Sequence, residues 1–327
     1  MVGRGEQYLA VGIDLGGTNI KAAVVNGNGY ILASNQVATL SAGGPDAVVD
    51  RMTELVTRVW QQAGLTGMRP DRIGVGVPGT VDAHTGTVIF APNLGWSHFP
   101  LGESLGRRLG SPVWLENDAD AAALGEHWVG AGRGMRYLLV ITVGTGIGSG
   151  LILNGKLFQG STGRGTEMGH FKVVEDGLPC GCGNKGCLET VSSASALVRM
   201  AREALTRGDK TTLSKNSDLD ARDILAAARD GDGLARGILR KAAGYLGVAL
   251  ANMALALDLE RVIIGGGVAA AGSLILEPVR EQVTRLTRPY SKPEVVLGVL
   301  GNAAGSIGAA ARVIPGSPHF ALEGRET

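Results

Sequence analysis

Asp14-Leu15-Gly16-Gly17-Thr18-Asn19-Ile20-Lys21 lies between two apolar runs, and the element directly after its glycines decides the fold. Tyr8–Asp14 reads as one buried strand and Asn19–Val25 as the next, with no helical spacing between them. A Rossmann turn needs a helix N-terminus directly after its glycines, so that fold is excluded. The remaining use is a β-hairpin whose N–H groups and Thr18 hydroxyl can face phosphate. Asp14 would then lie near a hydrated Mg²⁺, with Lys21 as a nearby cation. An ordinary tight hairpin is the competing reading of the same residues.

Working outward, Asn26-Gly27-Asn28-Gly29 is a turn and Tyr30–Val37 a third strand, so three antiparallel strands open the chain. Pro45–Gln62 has helical apolar spacing and Gly64 to stop it. Ile73–Val77 is a short buried strand, and Val81–Phe90 a hairpin. Leu101–Leu109 reads as a helix, Val113–Glu116 as a strand and Ala119–Val129 as an alanine-rich helix. The alternation makes the class α/β. Tyr137–Val143, the glycine turn Gly144-Thr145-Gly146-Ile147-Gly148, Ser149–Leu153 and Asn154-Gly155 then repeat the opening order of strand, glycine turn, strand and turn. This is the pattern of an internal repeat, each half giving one glycine hairpin to a common cleft, unless two glycine hairpins coincide by chance. Gly150 to Lys156 has P-loop spacing, but Leu157 replaces the Mg²⁺-binding hydroxyl and no helix comes after it, so it is set aside.

Beyond residue 190 the chain turns helical, with Ser192–Thr206, Asp220–Arg229 and Gly233–Leu257 as helices and Arg207–Asp218 as a polar loop. Val262–Ile264 is a strand ending in Gly265-Gly266-Gly267. A helix from Leu274 to about Leu286, a strand at Val295–Gly298 and a small-residue helix at Asn302–Val313 complete the order. Residues after Pro315 read as an unstructured tail.

The chain of 327 residues, with net charge +1 and a pI near 7.8, gives no electrostatic reason to expect nucleic acid or an anionic membrane. The N-terminus lacks a secretory signal pattern, and no apolar run is long enough to span a bilayer. The 52 glycines cluster at strand ends, which suggests many close approaches of backbone to ligand. All three cysteines, Cys180, Cys182 and Cys187, fall within eight positions, which is no disulfide framework. A reduced, cytoplasmic compartment fits. With His170 upstream they make a complete tetrahedral zinc set, and four protein ligands leave no open position, so a bound zinc would be structural; three buried structural thiols are the competing reading. Glu167 and Glu189 flank this stretch as carboxylates that zinc does not need. Glu116-Asn117-Asp118 ends a strand just before a helix, where α/β sheets open onto ligand crevices. Asp118 there can take a proton from an attacking alcohol. A helix N-cap is the commoner fate of Asn or Asp at such a position, and the residues alone do not separate the two. His84, His98, His127 and His319 show no partner and read as surface or packing residues.

These motifs together resemble the ROK sugar kinases, which have the actin-like, hexokinase-type (ribonuclease H-like) ATPase fold, and within them the bacterial ATP-dependent glucokinases. The match runs through D-L-G-G-T-N-I-K at 14–21, G-V-P-G at 76–79, E-N-D at 116–118 and V-G-T-G-I-G-S-G at 143–150. It continues with E-M-G-H at 167–170, C-G-C-G-N-K-G-C-L-E at 180–189, G-G-G at 265–267 and G-S-I-G-A-A at 305–310. The resemblance implies two domains around a cleft: residues 1–118 with about 302–327, and residues 119–301 carrying the zinc loop 165–189. It implies Asp118 as the base for the sugar 6-hydroxyl. Asn117, Glu167, His170 and Glu189 would hold other hydroxyls, with Gly79 and Asn93 lining the pocket. Gly16, Gly17, Thr18 and Gly144, Thr145, Gly146 would cradle the phosphates of ATP with Mg²⁺, and Gly265, Gly266 and Gly267 would approach the adenosine. It also implies a homodimer or homotetramer. A kinase for another hexose, a polyphosphate-using kinase and a non-catalytic sugar sensor are the alternatives. Against the last, the chain shows no DNA-binding segment before Asp14 and keeps an intact E-N-D.

Overall fold

The computed structural model describes residues 8–214 and 218–320. The first half builds β1 (Leu9–Leu15), β2 (Asn19–Asn26), β3 (Ile31–Ala38), α1 (Gly44–Gln62) and β4 (Ile73–Val77). A small hairpin sheet comes next, from β5 (Thr80–Asp82), β6 (Thr87–Ala91) and β7 (Trp96–Phe99), then α2 (Leu101–Leu109), β8 (Val113–Asn117) and α3 (Asp118–Val129). The second half has β9 (Leu138–Val143), β10 (Ile147–Leu153), β11 (Lys156–Phe158), and the helices α4 (Glu189–Ser192), α5 (Ala194–Arg207), α6 (Ala221–Arg229) and α7 (Gly233–Leu257). It closes with β12 (Arg261–Gly265), α8 (Ser273–Thr287), β13 (Glu294–Leu297) and α9 (Ala304–Ala311).

The two large sheets have the orders β3-β2-β1-β4-β8 and β11-β10-β9-β12-β13. In each, the first three strands are antiparallel neighbours and the last two join in parallel. The repeat expected from the glycine hairpins is therefore a duplicated topology. The hairpin after β10 turns at Asn154 and Gly155, both with positive φ, as the tight Asn-Gly turn demands.

Helices α3 and α9 lie between the two sheets, and glycines let them do so. A Cβ at Gly12 or Gly74 would collide with the backbone of α9 at Ser306 or Ala309, and one at Gly308 with the carbonyl of Ala121 in α3. Gly148 and Gly150 of β10 likewise admit Ala119 and Ala123, whose Cβ atoms would lie 2.8 and 2.6 Å from an added Cβ. The expectation that the glycines mark approaches to ligand is thus corrected: many of them close contacts between helix and strand. Each half keeps its own apolar core, one around β1, β4 and α1, the other around β9, β12 and α7.

Strands β7 and β11 escaped the sequence reading, being only four and three residues long. The polar loop 207–218 lies partly outside the described residues. The unstructured tail is also corrected as far as it is described. Residues 315–320 pack against the body, with Ser317 and His319 only 7% and 5% exposed. Residues 321–327 lie outside the described residues. No helix among the described residues is long and apolar enough to cross a membrane.

Candidate active site

Asp118 is the first residue of α3, held there by its neighbour. Asn117 caps the helix, its Oδ1 accepting the N–H groups of Ala119 and Asp120 at 2.9 and 3.1 Å. Its Nδ2 donates to the carbonyl of Gly79 at 3.0 Å. The cap and the cleft residue are therefore one side chain, and Asn117 keeps a single amide hydrogen for a ligand. With the cap supplied by Asn117, the Asp118 carboxylate stays available to the cleft. Burial first, then the charge of Asp14, push Asp118 up to about 7, against the lowering effect of the Ala119 N–H. Gly79, at φ 104°, has no room for a Cβ beside the Phe90 carbonyl. Asn93 rides on a turn, Pro92–Leu94, at the edge of the small hairpin sheet.

One recess of about 380 Å³ is lined by Gly79, Asn93, Asn117, Asp118, Glu167, His170 and Glu189, together with both glycine hairpins. An adjoining recess of about 380 Å³ is lined by Asp14, Gly16, Gly17, Thr18, Lys21, Gly144, Thr145, Gly265, Gly266 and Gly267. Gly146 borders the first recess and not the second. Among the described residues, Asp118 is the one carboxylate that lines both. A larger groove of about 960 Å³ runs along α5 between arginines and meets the cleft only at Thr145.

The hairpins are tied back from behind. Buried Thr39 donates its hydroxyl to the Gly16 carbonyl (2.6 Å) and its N–H to that of Thr18 (2.8 Å). Ala194 N–H and the Ser195 hydroxyl do the same for the carbonyls of Gly144 and Thr145, both at 2.8 Å. Carbonyl oxygens that would repel an anion are thereby engaged elsewhere. Asp14 and Lys21 pair across the β1–β2 ladder at 3.2 Å, both partly exposed to the recess. Thr39 and Ser195 carry no local motif, which is why the sequence reading missed them.

The four candidate metal ligands assemble on a stretch of tight turns. His170 ends the turn Met168–His170, whose Gly169 has no room for a Cβ under the Ile147 carbonyl. A ring nitrogen of His170 and the sulfurs of Cys180, Cys182 and Cys187 all lie within 4.8 Å of one another. His170 Nδ1 to Cys180 Sγ is 3.6 Å, and Cys182 Sγ to Cys187 Sγ is 3.7 Å. Tetrahedral zinc with bonds of about 2.3 Å to sulfur and about 2.0 Å to nitrogen requires edges of roughly 3.5–3.8 Å. These two edges match that ion and the four donor types suit it, and the short contact to Cys180 puts Nδ1 on the cluster side, leaving Nε2 as the other ring nitrogen. Lys172 Nζ lies 3.0 Å from Cys187 Sγ, a cation beside the sulfur cluster. Glu189 Oε1 lies 2.8 Å from Cys180 Sγ and 3.7 Å from His170 Nδ1, so the Cys/His cluster and the cleft carboxylate adjoin.

The remaining histidines divide. Among them, His127 and His319 are buried partners, corrected from unpaired packing residues. His127 Nε2 meets the Met135 carbonyl at 2.7 Å and so carries the proton, leaving Nδ1 to accept from His319 Nε2 at 2.8 Å.

The chain is 38% identical to the glucokinase of Halalkalibacterium halodurans, over 91% of this chain and 92% of that one. It is 38% identical to the glucokinase of Thermotoga maritima, over 92% and 95%. Among solved structures, a ROK family glucokinase from Streptomyces griseus in complex with glucose and AMPPNP superposes with a TM-score of 0.82 at 39% identity, covering 92% of this chain and 98% of that one. The fold is the actin-like, hexokinase-type ATPase fold. The ROK family model matches residues 10–315, nearly the whole described chain, and the protein belongs to the ROK family.

Proposed function

We propose that this protein is an ATP-dependent glucokinase that transfers the γ-phosphoryl group to the 6-hydroxyl of glucose. The observation that carries the reading is Asp118, the one carboxylate among the described residues shared by a recess of carboxylates and amides and a recess of glycine hairpins. The glucokinase relatives and the glucose- and AMPPNP-bound neighbour support the choice of sugar and donor.

In this reading Asp118 accepts the proton of the 6-hydroxyl as that oxygen attacks in line. Glu167, Glu189, His170 Nε2 and the free amide hydrogen of Asn117 hold the other hydroxyls, with Gly79 and Asn93 shaping the wall. Buried polar groups left unpaired by the wrong stereoisomer give the selectivity. The N–H groups of the two hairpins and Lys21 receive the phosphates, and Gly265, Gly266 and Gly267 lie toward the adenosine. Magnesium, when bound with the nucleotide, supplies positive charge to the phosphate oxygens, and the Asp14 carboxylate is the donor that suits it. Zinc held by His170, Cys180, Cys182 and Cys187 would brace the sugar side and take no part in the chemistry.

Residues 1–118 with about 302–327 form one domain of this reading and 119–301 the other. Their closure over the sugar would exclude water as a competing acceptor. A homodimer or homotetramer in a reducing cytoplasm, without nucleic acid or membrane partners, completes it. A screen of hexoses with ATP and with polyphosphate tests it, reading ADP and sugar phosphate. Glucose with ATP is expected to give the highest kcat/KM. Absence of turnover with every hexose would overturn the kinase reading.

A further inference from the structure

Two buried carboxyls flank the base in sequence, and the phosphoryl transfer itself uses neither. Glu116 is 1% exposed and has three partners. Arg312 Nε lies 3.0 Å from its Oε2, while the Asn117 N–H at 3.1 Å and the Gln159 side-chain amide at 2.8 Å both donate to Oε1. Asp120 is 5% exposed, and its Oδ2 lies 3.3 Å from the same Gln159 Nε2. Burial, then the charge of Glu116, push Asp120 well above the usual carboxylate range, and burial raises Glu116 as well, against the lowering charge of Arg312. Gln159 thus gives one amide hydrogen to each carboxyl.

The main chain of Gln159 is committed in the other direction. It comes directly after β11, and its carbonyl accepts the Gly165 N–H at 2.9 Å, closing the loop 159–165. A Cβ on Gly165 would lie 2.9 Å from the Gln159 carbonyl carbon, so only glycine lets that loop close. Gly163, Arg164, Gly165 and Glu167 line the sugar-side recess, and no residue of 159–167 lines the nucleotide-side recess. One residue therefore joins the strand end that carries the base to the loop that brings Arg164 and Glu167.

We propose that Gln159 is a positioning residue that, through Glu116 and Asp120, fixes the sugar-facing loop 159–167 against the base and so governs sugar binding and not nucleotide binding. The proposal rests on the reading of the cleft as a hexose kinase site. A shorter or apolar side chain would leave Glu116 and Asp120 without their shared donor and release the loop.

The test is steady-state kinetics of wild type, Gln159→Leu and Gln159→Glu, with glucose and MgATP varied in turn. Gln159→Leu is expected to lower kcat/KM for glucose roughly 10–100-fold, mainly through KM, the scale of a buried polar group left unpaired. Its KM for MgATP is expected to stay within about twofold of wild type, since uniform loosening of the fold would move both substrates. Gln159→Glu can still donate when protonated, so its activity relative to wild type at the same pH should fall from pH 6 to pH 8. That ratio carries the test should the Leu variant not fold. A wild-type KM for glucose in Gln159→Leu, equal changes in both KM values, or a pH-independent ratio for Gln159→Glu would overturn the proposal. Wild-type turnover is the control for the underlying reading. If only another hexose is phosphorylated, the sugar is reassigned and the same comparison is made with it. If no hexose is, the kinase reading and this proposal fall together.

Discussion

Asp118 concentrates the cost and the use of the site in one residue. Burial and the nearby charge of Asp14 raise it to about 7, and a base must be ionised, so kcat/KM should rise with pH through about 7 and fall off below it. Asp118→Asn should lower kcat about 10²–10⁴-fold, and a loss within tenfold in a coupled ADP assay would remove Asp118 as base. The same shift makes a stability statement. A carboxyl whose folded pKa lies above its unfolded value of 3.8 destabilises the fold once it must ionise, an effect absent well below 3.8 and complete above about 7. Asp118→Asn should therefore melt higher than wild type at pH 8, with the gap shrinking toward pH 4 and closing below it, as monitored by circular dichroism. The identity of this residue was legible, because a strand end before a helix is a local pattern. Its environment was not, because Asp14 reaches it only through the folded sheet. Gln159 shows the same limit: its amide spans 43 positions to Glu116, and no spacing rule connects them.

At the scale of elements, α3 and α9 are held by the absence of side chains. Gly308→Val puts its branch into the Ala121 carbonyl, and rigid backbone on both sides cannot give way. A loss of about 3 kcal/mol or more in urea unfolding is expected, or failure to fold, whereas the open position Gly237 should tolerate Val far better. The sequence located both helices, yet attributed its glycines to ligand, since a glycine in a strand gives no hint of what lies above it. The metal loop is the opposite case. Three cysteines and a histidine within one short stretch were readable as a set, and the turns that gather them are equally local. Removing zinc with a chelator, or Cys187→Ser, should lower both the melting temperature and the affinity for glucose measured by calorimetry, because the loop positions His170 and Glu189. Unchanged glucose affinity in metal-free protein would separate the brace from the sugar site.

At the scale of the whole molecule, residues 304–320 return to the helix that begins with Asp118. His319 caps that return by donating to His127 of α3, and the Arg312 side chain reaches the His319 carbonyl as well as Glu116. Burial, then His127 and Arg312, lower His319 to about 3, so it stays neutral at ordinary pH. A histidine whose folded pKa is depressed loses stabilising effect as pH falls below its unfolded value of 6.5, and continues to do so down to about 3. His319→Ala should cost about 1–3 kcal/mol at pH 7, the penalty of an unpaired His127 nitrogen, and progressively less toward pH 4. A constant difference across that range would show that the imidazole pair contributes nothing beyond packing. What the sequence determined by itself was whatever a few consecutive residues can specify: two hairpins without intervening helices, a metal set, a carboxylate at a strand end, and their repeat order. Only the tertiary structure decided which of these meet. The contacts that tune Asp118, bind Gln159 to two carboxyls and join His127 to His319 across 192 positions depend on the two sheets packing on α3 and α9, and loop closure over such distances leaves no periodic trace in the chain.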